Sequence, residues 1–213
     1  GIDTQYFDLN AVTELRKENL LSKLTLSENV HVILLPARIT SWKGHMVALD
    51  AAKLIKQREP ELNFVILFVG SEDEKKKFSK SLKRKIKKNN LEDKIIFCGN
   101  LSDMPAVYSI ADIVLSTSTE PEAFGRISAE ASSMTKPIIS SNHGGSREII
   151  ENSITGWLVE PSNSEQLAEK ILDVLNLSQE KKDSIGLTAR RRVKEKFSLN
   201  DMLKKTLAVY EDL

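Results

Sequence analysis

The sequence predicts an α/β fold, a doubly wound parallel sheet of about six strands with helices on both faces. Two observations support this prediction. Short apolar runs rich in Val, Ile and Phe have the length of buried strands, and stretches with helical periodicity separate them. Regular alternation of strand and helix favours parallel strands joined by crossover helices.

The elements follow one another along the whole chain. The predicted strands cover residues 30–35, 64–69, 95–98, 113–115, 137–140 and 157–159. The predicted helices between and after them cover residues 44–56, 72–89, 104–110, 126–134, 146–151 and 164–175. Two further helices, at 179–196 and 199–212, follow the last strand and are interpreted as appended.

Length and composition fit one domain over residues 1–213. The 213 residues are 40% hydrophobic and 29% charged, which is enough to bury one substantial core. Lysine and arginine number 31 against 30 acidic residues, so the net charge of +1 gives no reason to expect a nucleic acid partner. Any anion site must therefore be local.

A few features bear on the cellular compartment. Cys98 is the one cysteine, so an internal disulfide and a multi-thiolate zinc site are excluded, and a reducing compartment is favoured. No apolar run approaches the ~18 residues of a membrane span, and the stretch 1–10 lacks the basic and apolar regions of a signal peptide. We expect a cytoplasmic protein whose membrane contact, if any, is peripheral to the inner face of the cell membrane.

Ligands of open parallel sheets bind beyond the carboxyl ends of the strands, so the loops that follow the strands are the candidate site. Two common nucleotide motifs are missing from them. The chain contains no G-x-G, the core of the dinucleotide fingerprint, and no G-K-[ST], the core of a P-loop. Dehydrogenases and P-loop kinases are therefore disfavoured.

The loop after the first predicted strand carries two cations, Arg38 and Lys43, directly before a helix. Such cations can converge with the free N–H groups of a helix start on a diphosphate. Solvated loop charges are the commoner fate of such residues, and the loop alone leaves both interpretations open.

The loop after the fourth predicted strand contains Glu122 and leads into a helix that contains Glu130. A loop carboxylate can accept hydrogen bonds from sugar hydroxyls, and a helix carboxylate can hold the two hydroxyls of a ribose. Gly125 would let a ligand approach the backbone closely. Alternatively, Glu122 is a charge at the start of the helix that the helix dipole stabilises, and Glu130 is a solvated helix residue.

Taken together, these residues resemble the large retaining glycosyltransferase family 4. The resemblance covers nearly the whole chain. The matching positions, in family order, are Arg38 with Lys43-Gly44, Gly99, Ala111-Asp112, Glu122 and Glu130 with E-A-F-G-R between Glu122 and Arg126, Lys136-Pro137, Gly144-Gly145 with Glu148, and 156–159 (G-W-L-V).

The resemblance implies a Rossmann-like fold, the C-terminal half of the two-domain GT-B architecture. The donor would be a nucleoside-diphosphate sugar with UDP, GDP or ADP as its nucleotide. Arg38 and Lys43 would bind its diphosphate, Glu130 its ribose, and Glu122 its sugar, which makes Glu122 the candidate catalytic residue.

Backbone N–H groups of Phe124, Gly125 and Arg126 would contact sugar or phosphate, and Asn100 and Leu101 would lie near the base. Members of this family work without a metal or other cofactor, since fixed cations and helix dipoles neutralise the leaving diphosphate. The sequence shows no cluster of His, Asp and Glu with metal-ligand spacing.

Both ends of the chain also resemble the family. Residues 1–7 resemble the second part of the segment that joins the two domains, and the helix within 198–213 resembles the last helix, which crosses back towards the first domain. The resemblance implies that the N-terminal acceptor domain is absent from this chain and is its partner, so the isolated domain would bind donor but transfer little.

Several alternatives remain open. Another GT-B nucleotide-sugar enzyme, such as a 2-epimerase, matches these residues less well, and a non-catalytic nucleotide-sugar-binding module is the third possibility. The segment 75–88 holds nine basic residues, interpreted as the solvated face of a helix, with contact to anionic lipid as the alternative. His143 is either a phosphate ligand or simply exposed, Trp42 either stacks on a base or covers its loop, and Trp157 belongs to the core.

Overall fold

The computed structural model describes residues 1–24, 26, 29–72 and 77–211. Six parallel strands form one sheet in the order β3-β2-β1-β4-β5-β6. The strands are β1 His31–Leu35, β2 Phe64–Val69, β3 Ile95–Gly99, β4 Ile113–Ser116, β5 Ile138–Ser141 and β6 Trp157–Val159. All six predicted strands are present, and the predicted Rossmann-like sheet is confirmed.

The helices in the described residues precede, connect and follow the strands. They are α1 Glu14–Leu24, α2 His45–Arg58, α3 Lys77–Lys88, α4 Met104–Ser109, α5 Arg126–Ser133, α6 Ser146–Ile149, α7 Ser164–Leu175, α8 Gln179–Lys196 and α9 Leu199–Glu211. A short 3₁₀ turn at Leu9–Ala11 precedes α1. None of these helices is both long and apolar enough to cross a membrane.

The strand order places helices on both faces of the sheet. From β1 the chain moves to β2 on one side, and from β4 it moves to β5 on the other side. Because parallel crossovers are right-handed, these opposite directions put α2 and α5 on opposite faces. Helix α7 packs on α2, helix α8 packs on α5, and every residue of β2 is buried. Strands β1 and β4, side by side at the centre, mark the switch point.

One helix was not predicted, and one is shorter than predicted. Helix α1 is mostly polar and buries only Leu20, so its apolar periodicity is weak. The predicted helix 72–89 begins at Lys77 among the described residues, since Glu72 instead pairs with Ile39 in an isolated parallel bridge. Residues 73–76 and the last predicted residue of α9, Asp212, lie outside the described residues.

The two ends of the chain meet. Ile2 pairs with Ser198 in a parallel bridge at the junction of α8 and α9. Arg190 of α8 holds the segment around Phe7 and Asp8 in place. It forms an ion pair with Asp8 and donates to the Phe7 carbonyl at 3.2 Å. Helix α9 itself buries no residue. The body of the domain therefore ends at α8, and α9 extends from it.

Candidate functional site

The loops after β1 and β4 meet across the switch point of the sheet. The backbone N–H of Thr119 donates to the carbonyl of Trp42 at 2.7 Å. Gly44 has φ = 78°, and a Cβ built on it would lie 1.9 Å from the Thr117 carbonyl oxygen. A side chain at position 44 would force the loops apart, so glycine is required for their contact.

Lys43 and Glu122, one from each loop, form an ion pair. Their Nζ and Oε1 atoms are 2.9 Å apart, and their side chains are only 13% and 15% exposed. The Ser118 hydroxyl donates to the same Glu122 oxygen, and the Lys43 Nζ lies 4.1 Å from the centre of the Trp42 ring. A cation and a carboxylate, both mostly buried, are thus held side by side at the edge where parallel sheets bind ligands.

The loop after β5 supports this arrangement from the other side. The His143 Nε2 atom lies 2.9 Å from the Ser118 carbonyl, and the Gly145 N–H donates to the Glu122 carbonyl at 2.8 Å. At Gly144, where φ is 54°, a Cβ would approach that same carbonyl to 2.5 Å. Glu122 is therefore held through both its backbone and its side chain.

Glu130, on α5, is 8% exposed and has a partner at each carboxylate oxygen. The Tyr108 hydroxyl donates to Oε2 at 2.9 Å, and the Arg126 guanidinium pairs with Oε1 at 3.0 Å. Burial and the adjacent carboxylate raise the pKa of Tyr108, so this hydroxyl remains a proton donor. A carboxylate accepts about four hydrogen bonds, so Glu130 retains acceptor capacity for a ligand.

The start of α5 supplies unused donors. Within the described parts of the chain, the N–H groups of Phe124, Gly125 and Arg126 make no hydrogen bond. Gly125 caps the helix with φ = 84° and has no side chain to cover them. The positive end of a helix and three N–H groups without a described partner therefore lie next to the loop that carries Glu122.

The other predicted ligand contacts lie at the same edge of the sheet without joining this cluster. Arg38 is exposed and makes neither an ion pair nor a hydrogen bond with any described residue. Asn100, just beyond β3, is exposed, and Leu101 is half-buried. Leu101 borders a cavity of about 150 Å³ between α1 and α4, beside the ion pair of Arg16 with Asp103.

Sequence reasoning missed Tyr108 and Ser118, which position the two glutamates. Tyr108 lies in a short helix that reads as ordinary core, and Ser118 is one of many serines. No sequence pattern marks either residue as part of the site. The partner of Tyr108, Glu130, is 22 residues away, and Ser118 and its partner Glu122 lie in a loop of irregular conformation. In the described residues no group of three His, Cys, Asp or Glu side chains is arranged to hold a metal ion.

His45, the first residue of α2, lies beneath the Lys43 loop and is fully buried. Its ring contacts Phe68 edge-on at 4.8 Å, and neither ring nitrogen has a hydrogen-bond partner among the described residues, although the backbone at Ala37 and Thr40 is adjacent. Burial lowers the pKa of the imidazole to about 4. The ring is therefore neutral at pH 7.

We expect the stability of the fold to depend on pH through His45. Between pH 6.5 and pH 4 the unfolded chain binds a proton at this residue and the folded chain does not, so stability falls as pH falls. The loss reaches about 2–3 kcal/mol at pH 4.5. Denaturant unfolding from pH 7 to 4.5 should show this slope, reduced in His45→Leu and retained in the control His31→Asn. An equal slope in His45→Leu would contradict the assignment.

Comparison with known proteins identifies the family. The family profile described as Glycosyl transferases group 1 matches residues 16–192. The chain belongs to this family. Among relatives, the spore coat protein SA of Bacillus subtilis is 28% identical over 200 residues, which are 92% of this chain and 52% of that protein. The lipopolysaccharide 1,2-N-acetylglucosaminetransferase of Salmonella typhimurium is 28% identical over 187 residues, 85% of this chain and 48% of that enzyme.

Several solved structures have the same fold. A glycosyltransferase from Rickettsia africae matches with a TM-score of 0.95 and 40% identity, covering 100% of this chain and 55% of that one. The Anabaena protein HepE, solved with UDP and glucose, gives a TM-score of 0.90 and 25% identity, with 100% and 56% coverage. The C-terminal domain of LpcC from Francisella tularensis gives 0.76 and 28%, with 93% and 100% coverage.

These comparisons confirm part of what the sequence predicts. The chain is a glycosyltransferase domain with a Rossmann-like sheet, and its structural neighbours are GT-B glycosyltransferases. It spans about half the length of the curated relatives it matches. Donor, stereochemistry and the roles of individual residues are matters of proposal.

Proposed function

We propose that this chain is the donor-binding domain of a retaining glycosyltransferase that uses a nucleoside-diphosphate sugar without a metal ion. The acceptor is a glycan or a lipid-linked glycan. The observation that carries the proposal is the Lys43–Glu122 ion pair, set beside the free N–H groups of α5 at the switch point of the sheet. In support, HepE was solved with UDP and glucose, and the Salmonella relative acts on lipopolysaccharide.

The diphosphate lies between the two loops. The Lys43 ammonium binds a phosphate oxygen, and the N–H groups of Phe124 to Arg126 donate to phosphate or sugar. The guanidinium of Arg38, which pairs with no described residue, closes over the exposed side. Positive charge that is fixed before the reaction stabilises the diphosphate as it leaves. This arrangement does the work that a metal ion does in other sugar transferases.

Glu130 accepts hydrogen bonds from the ribose hydroxyls. Tyr108 and Arg126 already hold its carboxylate in one orientation, so little side-chain entropy is lost when the ribose binds. The base lies towards Asn100 and Leu101 at the end of β3. The Asn100 amide can both donate and accept hydrogen bonds and Leu101 offers only its backbone groups, so this pair suits UDP, GDP and ADP alike.

Glu122 accepts hydrogen bonds from the donor sugar and is the catalytic residue of the proposal. Ser118 and Lys43 keep its carboxylate directed at the crevice. During transfer, the bond from the anomeric carbon to the diphosphate breaks, the acceptor oxygen bonds to the same face of the sugar, and the proton of the acceptor hydroxyl passes to the departing diphosphate. The sugar gains positive charge as the bond to the diphosphate breaks, so a carboxylate held in contact with it stabilises the transition state.

Transfer requires an N-terminal acceptor domain, which packs against α9 of this chain. Several large apolar side chains of α9 are exposed, among them Leu207 at 59% and Tyr210 at 71%. A cavity of about 680 Å³ separates α9 from Phe124 and Gly145, so the helix borders the donor site. The full-length protein meets the inner face of the membrane peripherally.

The isolated chain should bind donor and transfer negligible sugar. A radiolabelled nucleotide-sugar assay with lipid-linked acceptors should give no product above background with this chain. The Salmonella lipopolysaccharide 1,2-N-acetylglucosaminetransferase, assayed with lipopolysaccharide as the acceptor, should give product and serves as the positive control. Robust glycosylation by the 213-residue chain would show that no second domain is needed.

Substitutions of the two glutamates should weaken the binding of different ligands. Glu130→Ala should weaken nucleoside and nucleoside diphosphate alike, because its partner is the ribose that both share. Glu122→Ala should weaken only the nucleotide sugar, because removing the negative charge beside Lys43 leaves nucleoside diphosphate binding unchanged or tighter. Each loss corresponds to a charged hydrogen bond of ~1.5–3 kcal/mol, about one to two decades in Kd. Calorimetry of both variants with the three ligands checks the pattern, and Glu180→Ala, which removes an exposed glutamate in the first turn of α8, serves as the control. A Glu122→Ala variant that binds all three ligands like the parent would refute its role.

A further inference from the structure

Helix α3 concentrates positive charge that the chain as a whole lacks. Its sequence, KFSKSLKRKIKK, contains seven basic residues and no acidic residue, whereas the net charge of the chain is +1. The helix buries Ser79, Leu82 and Ile86 against the domain. The basic residues therefore occupy the remainder of its circumference.

Five of these residues form one outward face. Because successive residues are about 100° apart, one stripe about 100° wide, opposite the buried one, contains Lys77, Lys80, Arg84, Lys87 and Lys88. All five are exposed. We call them the basic face. It is about 16 Å long, at ~1.5 Å per residue.

Ion pairs neutralise the flanks of α3 and leave the basic face charged. Lys83 pairs with Glu72 at 2.6 Å, and Lys85 pairs with Asp50 at 2.7 Å. No described residue forms an ion pair with any member of the basic face. Paired lysines thus fix the helix to its neighbours, and the outward cations, which pair with no described residue, repel one another.

We propose that the basic face docks on an anionic lipid surface. None of its members carries an aromatic ring to stack on a base, and only Arg84 has the planar guanidinium that reads guanine bidentately, whereas nucleic acid recognition relies on both groups. An array of anionic headgroups needs only several cations on one plane. The buried stripe is occupied by the domain core, so the contact is electrostatic and involves no insertion of α3 into the bilayer.

Vesicle sedimentation tests the proposal with the 213-residue chain. In 50 mM salt the chain should bind phosphatidylcholine vesicles that contain 30% phosphatidylglycerol and should not bind phosphatidylcholine alone. Each basic residue near an anionic bilayer strengthens binding about fivefold. The triple variant Lys80→Glu, Arg84→Glu, Lys87→Glu should therefore bind on the order of 100-fold more weakly. Binding by the parent should fall steeply at 500 mM salt.

The matched control reverses three exposed cations of α8, in the variant Lys181→Glu, Arg191→Glu, Lys194→Glu. It changes the net charge equally and should keep vesicle binding. An equal loss in both variants would overturn the proposal, because net charge would then explain the result. The proposal would also be overturned if the α3 variant bound anionic vesicles as tightly as the parent, or if the parent did not bind them at all. It would likewise be overturned if the parent bound single-stranded RNA at 150 mM salt but no longer bound vesicles.

The result is independent of the donor site. Both triple variants should bind nucleoside diphosphates as the parent does, since no member of the basic face lies in the Lys43 or Glu122 loops. If the parent chain does not bind nucleoside diphosphates, the proposed function is refuted, and the vesicle result is unaffected.

Discussion

Lys43→Ala is expected to weaken nucleoside diphosphate binding about 10- to 100-fold while barely changing the affinity for the parent nucleoside. The substitution removes one charged hydrogen bond to the diphosphate, worth ~1.5–3 kcal/mol. It also leaves Glu122 without its cation, which adds a negative charge beside the diphosphate. Calorimetric titration of nucleoside and nucleoside diphosphate measures the two affinities.

Lys53→Ala is the matched control for this variant. Lys53 is exposed on α2, ten positions along the chain from Lys43, and forms no ion pair with a described residue. It should bind both ligands like the parent. If Lys43→Ala binds the diphosphate normally while remaining folded, the loop after β1 is not the diphosphate site.

Gly44→Ala is expected to destabilise the fold by about 3 kcal/mol or more, adding an overpacking cost of ~1–3 kcal/mol to left-handed strain of ~1–2 kcal/mol. The new Cβ would lie 1.9 Å from the Thr117 carbonyl oxygen, which belongs to the backbone and moves only if the loop after β4 moves. Urea denaturation gives the free energy of unfolding.

Gly99→Ala separates the two costs. Gly99 also has a positive φ of 65°, but its Cβ would meet nothing within 4 Å. This variant should lose only the conformational part, ~1–2 kcal/mol. Equal losses in Gly44→Ala and Gly99→Ala would mean that contact between the loops after β1 and β4 does not constrain position 44.

The sheet could be predicted because each strand carries its own signal. Runs such as Phe64–Val69 are apolar at every position, as strands covered on both faces must be. Helix α1 lacked such a signal because tertiary contacts of Leu20 and Arg16, and not an apolar stripe, hold it against α4. Periodicity finds elements that bury a face and misses those held by a few specific contacts.

The candidate site could be predicted only in part. The types and order of Lys43, Glu122 and Glu130 indicated a donor site, and the structure brings Lys43 and Glu122 into contact. Their supporting residues, Tyr108 and Ser118, depend on how α4 and the loop after β4 approach the glutamates. Such distances between separate elements are set by packing of the whole domain, which no local pattern encodes.

The most direct test of the donor site is an amide chemical-shift titration of the labelled 213-residue chain with UDP, GDP and ADP in the presence of EDTA. At least one nucleotide should saturate, and the largest shifts should fall on the amides from Trp42 to His45 and from Phe124 to Arg126. Saturation in EDTA would show that binding needs no metal ion. Absence of saturable shifts from a folded chain, or shifts centred elsewhere, would contradict a nucleotide-sugar site between these loops.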